Sequence, residues 1–206
     1  MAGRRGHRVG ILGGSFNPAH GGHIKISLLA LRLLELDEVW WLVTPQNPLK
    51  DEGGMAPYAE RLVTAQGLID SHGQSRRIRV SDFEARANTR YTADTLQLLQ
   101  SHHRDYSFVW LMGADNLVQL PRWRRWRDIM QTMPVAVFDR PTYSYRALAG
   151  RAARRFANCR MNHRAPRTLA DMPPPAWMFL WAAHDPASAS AIRARNARPV
   201  DEGQDH

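Results

Sequence analysis

The stretch "GILGGSFNPAHGGH", residues 10–23, places five glycines, one proline and two histidines within fourteen residues. It follows the short apolar run 9–12 and leads into Ile24, Leu28, Leu31 and Leu34, which recur at helical spacing. That order predicts a buried strand, a glycine-rich turn, and a helix over residues 22–36. The glycines stand at 10, 13 and 14, so this is not the G-x-G-x-x-G dinucleotide fingerprint. No G-K-[ST] follows, so it is not a P-loop either.

Working outward, the same alternation continues. "VWWLV" (39–43) predicts a second buried strand, and "TPQNPLKDEGGMAP" (44–57) a Pro/Gly-dense loop. Residues 58–71 predict an amphipathic helix, and "RIRVS" (77–81) a strand near an edge. A helix begins at Thr92, read as its N-cap, with Asp94 in the first turn. "FVWLM" (108–112) and "PVAVF" (134–138) predict two more strands, separated by a short amphipathic helix, "RWRRWRDIMQ" (122–131). A helix over 145–156, a loop over 160–175, a strand "WMFLW" (177–181) and a short helix over 188–195 complete the pattern, with a disordered tail from about residue 197. Strands that alternate with helices pair in parallel and are covered on both faces. The expected fold is α/β, a doubly wound, mostly parallel sheet in a single domain spanning 1–206.

The bulk properties fit. The 206 residues can close one hydrophobic core, and 44% hydrophobic with 23% charged residues is ordinary for a globular chain. No apolar run approaches the ~20 residues that span a bilayer, and the basic N-terminus lacks a signal-peptide pattern. A cytoplasmic protein is expected. The single cysteine, Cys159, excludes an internal disulfide. The net charge of +9 is local: residues 140–198 carry 11 Arg and two Asp, and elsewhere the charges balance. Such a surplus attracts polyanions.

In an open parallel sheet, ligands bind beyond the carboxyl ends of the strands. Four segments directly follow predicted strands: 10–23, "TPQNPLK" (44–50), "GADN" (113–116) and "HDPASASAIR" (184–193). In the first, Gly13 and Gly14 would let a ligand approach the backbone closely. His20 and His23, three apart at a helix start, share a face. Free amides and the helix dipole favour an anion there, and two imidazoles can donate to a phosphate. A metal-ligating pair and a plain capping histidine are the alternatives these residues leave open.

"GGSFNPAHGGH" resembles the signature of the nucleotidylyltransferase superfamily, with His20-Gly21-Gly22-His23 as its [HT]-x-G-H element. The longer form G-G-[ST]-F-[DN]-P-x-H-x-G-H resembles the bacterial nicotinate-nucleotide adenylyltransferase family, with Asn17 where Asp is more usual. "RYTADTLQLL" (90–99), "LMGADNLVQLPRWRRW" (111–126) and "SASAIR" (188–193) are similar to further segments of that family, in the same order. "PQNPLK" matches only partly, since Leu49 replaces a histidine, and the chain ends soon after the last motif.

The resemblance implies a Rossmann-like nucleotidylyltransferase fold. It also implies adenylyl transfer from ATP to nicotinate mononucleotide, by in-line attack without a covalent intermediate. His20, His23 and Arg193 would stabilise charge on the ATP phosphates. The backbone of Gly13, Gly14, Ser15 and Phe16 would cradle the nucleotide, with Gly113, Asp115, Ser188 and Ser190 completing the ATP site. Asn47, Lys50, Thr92, Asp115 and Trp123 would hold the mononucleotide, Trp123 by stacking. Mg2+ would be carried by the ATP phosphates with no protein ligand. The partners implied are these two small molecules, with neither nucleic acid nor membrane. The same chemistry on nicotinamide mononucleotide or phosphopantetheine is the nearest alternative, and a nucleic-acid-binding protein the alternative from another class.

Overall fold

The apolar run behind the glycines extends further in both directions than its hydrophobic residues do. In the structure, a computed structural model that describes residues 6–45, 54–74, 76–140 and 142–181, strand β1 covers His7–Gly14. It is followed by α1 (Gly21–Leu33), β2 (Glu38–Val43), α2 (Tyr58–Ser71), β3 (Ile78–Ser81), α3 (Phe83–Arg86) and α4 (Thr92–His102). Then come β4 (Tyr106–Gly113), α5 (Ala114–Gln119), α6 (Trp126–Thr132), β5 (Val135–Phe138), α7 (Ser144–Leu148), α8 (Arg151–Arg155) and β6 (Trp177–Leu180).

The sheet order is β3-β2-β1-β4-β5-β6, and every pairing is parallel. This is the doubly wound arrangement expected, with β3 at an edge. The order reverses between β1 and β4, so the crevice beyond their carboxyl ends is the switch point.

Side chains alternate across the sheet as the pleat requires. Phe108, Trp110 and Met112 of β4 face one core with Val135 and Val137 of β5, under α4 to α8. Val109, Leu111, Ala136 and Phe138 face the other, under α1, α2 and a 3-10 turn over Pro166–Asp171. Two buried layers explain why these strands read as unbroken apolar runs.

Several local expectations are corrected. Gly13 and Gly14 are the last residues of β1, not part of the turn. A Cβ on Gly13 would collide with the indole of Trp110 on β4, so strand packing alone demands glycine there. Helix α1 stops at Leu33, short of 36. Helix α4 takes Tyr91 as its N-cap, with extended backbone and no side-chain cap bond, so Thr92 is the first helical residue rather than the cap. The 122–131 helix shrinks to α6, because Arg125 adopts φ +52 and breaks the chain just before it. The 145–156 helix divides into α7 and α8 at Gly150, whose ψ of 167 is extended. The 160–175 loop contains the 3-10 turn, which buries Leu169 and Ala170 in the core. The helix expected over 188–195 and the tail lie outside the described residues.

Candidate active site

Helix α1 begins directly on the switch-point rim, and its start is built from the two histidines. His20 is the N-cap, with φ −150 and ψ 168. Its Nδ1 accepts from the Gly22 amide at 3.1 Å. The Nδ1 of His23 accepts from the His20 amide, also at 3.1 Å. The pair forms a reciprocal capping box, with imidazole taking the place of the usual hydroxyl and carboxylate. A backbone amide can only donate, so both Nδ1 atoms are unprotonated. In the neutral rings the proton therefore sits on Nε2 in each case. The ring centroids are 4.0 Å apart, so the shared face inferred from spacing exists.

His23 packs against Phe16 (4.7 Å between centroids) and Trp41 (5.7 Å). Burial, with smaller electrostatic effects of His20 and the Arg140 guanidinium, pushes its pKa down to about 3. It is a neutral donor across the physiological range. Trp41 is itself pinned: its Nε1 donates to Ser27 Oγ at 2.8 Å, and Ser27 donates back to the His23 carbonyl at 2.8 Å.

The turn between β1 and α1 is held by burial. Phe16 stands at φ +46, a conformation that costs a non-glycine residue roughly 1–2 kcal/mol. Its ring is 2% exposed and stacks on Trp41 at 5.0 Å, which offsets that strain. The Phe16 side chain is thus core, and only its backbone can face a nucleotide. Gly14 likewise uses its carbonyl in the sheet, accepting from the Thr44 amide at 2.9 Å. The Ser15 carbonyl accepts from Arg61 Nη1 at 2.6 Å.

On the other side of the switch point, Gly113 ends β4 and is the N-cap of α5. A Cβ there would run into Asp115 Oδ1, so the glycine lets this carboxylate fold back over the strand end. Asp115 accepts from Arg140 Nη1 at 2.9 Å and keeps 18% of its side chain exposed. It is neither an N-cap nor an isolated acceptor. Arg140 was not anticipated from the sequence. It stands two residues after β5, so the strand-end criterion that selected the other segments would also have selected it.

Thr92 and Trp123 come from segments thirty residues apart that the structure ties together. Arg125, just after Trp123, bonds Asp94 in the first turn of α4 and also Gln97. The Arg124 guanidinium lies over the Tyr91 ring at 4.5 Å. Trp123 is partly buried against the α4–α8 core, and Trp126 is in that core. Asn47, Lys50, Ser188, Ser190 and Arg193 lie outside the described residues.

A buried carboxyl was also missed. Glu84 in α3 hydrogen-bonds Thr44 and accepts from Thr95 Oγ1 at 3.3 Å. Burial raises its pKa to about 7, against the lowering effect of those two bonds. Among the described residues, no group of three His, Cys, Asp or Glu side chains is arranged to hold a metal. No helix among them is long and apolar enough to cross a membrane.

Residues 11–195 match the model of the cytidylyltransferase-like family. A probable nicotinate-nucleotide adenylyltransferase of Methylorubrum extorquens is 50% identical over 188 residues, which are 91% of this chain and all of the relative. The chain belongs to the nicotinate-nucleotide adenylyltransferase family. Other relatives of the same name within the nicotinate-nucleotide adenylyltransferases come from Parvibaculum lavamentivorans (48% identical, 92% of each chain) and Brucella abortus (45% identical, 90% of this chain and 93% of the relative). Among solved structures, the Plasmodium falciparum nicotinic acid mononucleotide adenylyltransferase, complexed with NaAD, shares the fold. Its TM-score is 0.66 at 16% identity, covering 91% of this chain and 82% of that one.

Proposed function

We propose that this protein transfers the adenylyl group of ATP to nicotinate mononucleotide, giving nicotinate adenine dinucleotide and pyrophosphate. A phosphate oxygen of the mononucleotide attacks the α-phosphorus of ATP in line. The bond to the bridging oxygen breaks, and its electron pair leaves with pyrophosphate. The attacking oxygen is already anionic, so no general base is needed. Positioning and charge stabilisation then supply the catalysis.

The observation that carries this reading is the histidine pair. Backbone amides hold both Nδ1 atoms as acceptors, which leaves Nε2 as the donor on two rings 4.0 Å apart at the switch point. Neutral, pre-aimed donors suit an oxygen that gains charge during transfer. The backbone from Gly13 to Phe16, the end of β1 and the start of the turn, cradles the triphosphate, and Ser188, Ser190 and Arg193 complete its binding. Asp115, steadied by Arg140, accepts from a ribose hydroxyl beside Gly113. Asn47 and Lys50 take the mononucleotide phosphate, and Thr92 with Trp123 take the nicotinate ring. Mg2+ carried in on the ATP phosphates would supply further charge neutralisation there. The partners are these two small molecules rather than nucleic acid, and the setting is the cytoplasm.

The test is pyrophosphate release with ATP, Mg2+ and either nicotinate or nicotinamide mononucleotide. Release is expected with the acid and weaker release with the amide; none with either overturns the assignment. In the same assay His20→Ala is expected to lose about a hundredfold or more in kcat. A loss within about tenfold, ~1.4 kcal/mol, would remove His20 from the transition state.

A further inference from the structure

Arg125 stands at φ +52 and ψ 34, in the left-handed region that is costly for any residue but glycine. There its guanidinium meets acceptors on two helices. It bonds Asp94 Oδ1 in the first turn of α4, Gln97 Oε1 three residues on, and Asp128 Oδ2 in α6, the last at 2.7 Å. The side chains of Arg125, Asp94 and Asp128 are each more than a third exposed, and ion pairs so exposed add little stability. Stability therefore does not account for the strained backbone. What the strain achieves is the placement of one guanidinium across the gap between α6 and α4.

Arg124 makes a second tie to the same place. Its guanidinium lies 4.5 Å from the centre of the Tyr91 ring, and Tyr91 is the N-cap of α4. Two consecutive arginines thus hold the start of α4.

Helix α6 itself does not depend on them. Its Trp126, Ile129 and Met130 are buried in the core, and Gln100 of α4 donates to the Thr132 carbonyl at its far end at 2.6 Å. The residues ahead of α6 are anchored differently. Trp123 is only partly buried, and it is extended at φ −79 and ψ 143 after a 3-10 turn over Leu120–Arg122. What α4 offers at this junction is a bare helix start. Tyr91 supplies no side-chain cap, so the first amides of α4 stay open to an anion.

We infer that Arg125 is a positioning residue for the acceptor substrate: its clasp on Asp94 and Gln97 fixes Trp123 relative to the first turn of α4, and so sets the slot between an aromatic face and the open amides. This rests on the reading that Thr92 and Trp123 take the nicotinate ring. Such a slot fits a flat ring bearing a carboxylate, with the indole over the ring and the amides toward the charge.

The experiment is steady-state kinetics and Tm on purified full-length Arg125→Gly, Arg125→Ala, Asp94→Ala, the Arg125→Gly/Asp94→Ala double variant and Trp123→Ala. Glycine adopts a positive φ without strain, so Arg125→Gly removes the clasp and spares the backbone. It is expected to raise the KM for nicotinate mononucleotide about fivefold or more, with kcat and the KM for ATP each moving less than about threefold. Arg125→Ala is expected to raise the same KM as much, with a larger loss of Tm. In the Asp94→Ala background, Arg125→Gly is expected to add less than about twofold, because its main tie to α4 is already gone. A merely structural arginine would lower Tm and the active fraction, and so the apparent kcat, while leaving both KM values in place. Should Arg125→Ala fail to fold, Arg125→Gly decides. An unchanged mononucleotide KM in Arg125→Gly overturns the inference, and so does a full effect of Arg125→Gly in the Asp94→Ala background. If Trp123→Ala alone raises that KM, the reading of the ring site stands and Arg125 has no such role. If Trp123→Ala leaves it unchanged, the ring does not lie on Trp123, and the reading and the inference fall together.

Discussion

His20 and His23 were readable as a pair from their spacing, but their protonation was not. A histidine three residues from another at a helix start could ligate a metal, cap the helix, or donate to a phosphate. The structure decides because two backbone amides occupy the Nδ1 atoms. His23 then carries a specific expectation about pH. With a folded pKa of about 3 against an ordinary 6.5, it stays neutral while the unfolded chain takes up a proton as pH falls below about 6.5. Stability attributable to this group is therefore complete above about pH 6.5, and falls by ~1.4 kcal/mol per pH unit towards pH 3. An NMR titration is expected to hold the His23 ring at its neutral shift down to about pH 5. A midpoint near 6.5 would refute the buried neutral donor. Arg61 illustrates the opposite limit of legibility. Its acceptors are carbonyls at positions 15, 44, 45 and 56, and main-chain acceptors leave no trace in residue identity.

At the scale of elements, the long periodic helices and the buried strands followed from sequence, and α2 spans the expected residues 58–71. Two of the misjudged elements are those where a single backbone conformation overrides a helical pattern. Arg125 at φ +52 and the extended Gly150 each interrupt residues that would otherwise continue a helix. Glu84 belongs to this scale because it joins elements, with Thr44 at the end of β2 and Thr95 in α4. Its pKa near 7 lies above the ordinary 4.5, so the folded state holds a proton that the unfolded state releases. Its contribution is fully present below about pH 4.5 and declines as pH rises to about 7, by roughly 3 kcal/mol in all. Glu84→Gln keeps an acceptor oxygen for the threonines and removes the titration. The variant is expected to be more stable than the parent at pH 8 by about 1–3 kcal/mol, with little gain at pH 5, measured by urea denaturation at both values. Equal gains at the two pH values would show that Glu84 is not protonated in the fold.

For the whole molecule, the Arg-rich third reads differently once folded. Arg140 is paired with Asp115 at the candidate site, and Arg160 lies over the Trp177 and Phe179 rings at 5.4 and 6.0 Å. Arg155 lies over Phe156 at 5.6 Å. Part of the surplus is thus fixed to protein surface rather than arrayed for a polyanion. Binding to a heteropolymer RNA is expected to be weaker than roughly micromolar at physiological salt, by filter binding across a salt series. Tight, steeply salt-dependent binding would instead favour a nucleic-acid partner.

The amino-acid sequence by itself determined the alternation of strand and helix, the parallel sheet, and the rim on which the site lies. These depend on local periodicity and on motifs a few residues long, which a linear reading contains. Only the tertiary structure decided which nitrogen of each histidine carries the proton, why Gly13 must be glycine, and that Arg61, Glu84 and Arg140 stand behind the site. Each of those depends on what a distant part of the chain brings within hydrogen-bonding or van der Waals distance: the indole of Trp110, the carboxylate of Asp115, or a backbone carbonyl with no side-chain identity at all.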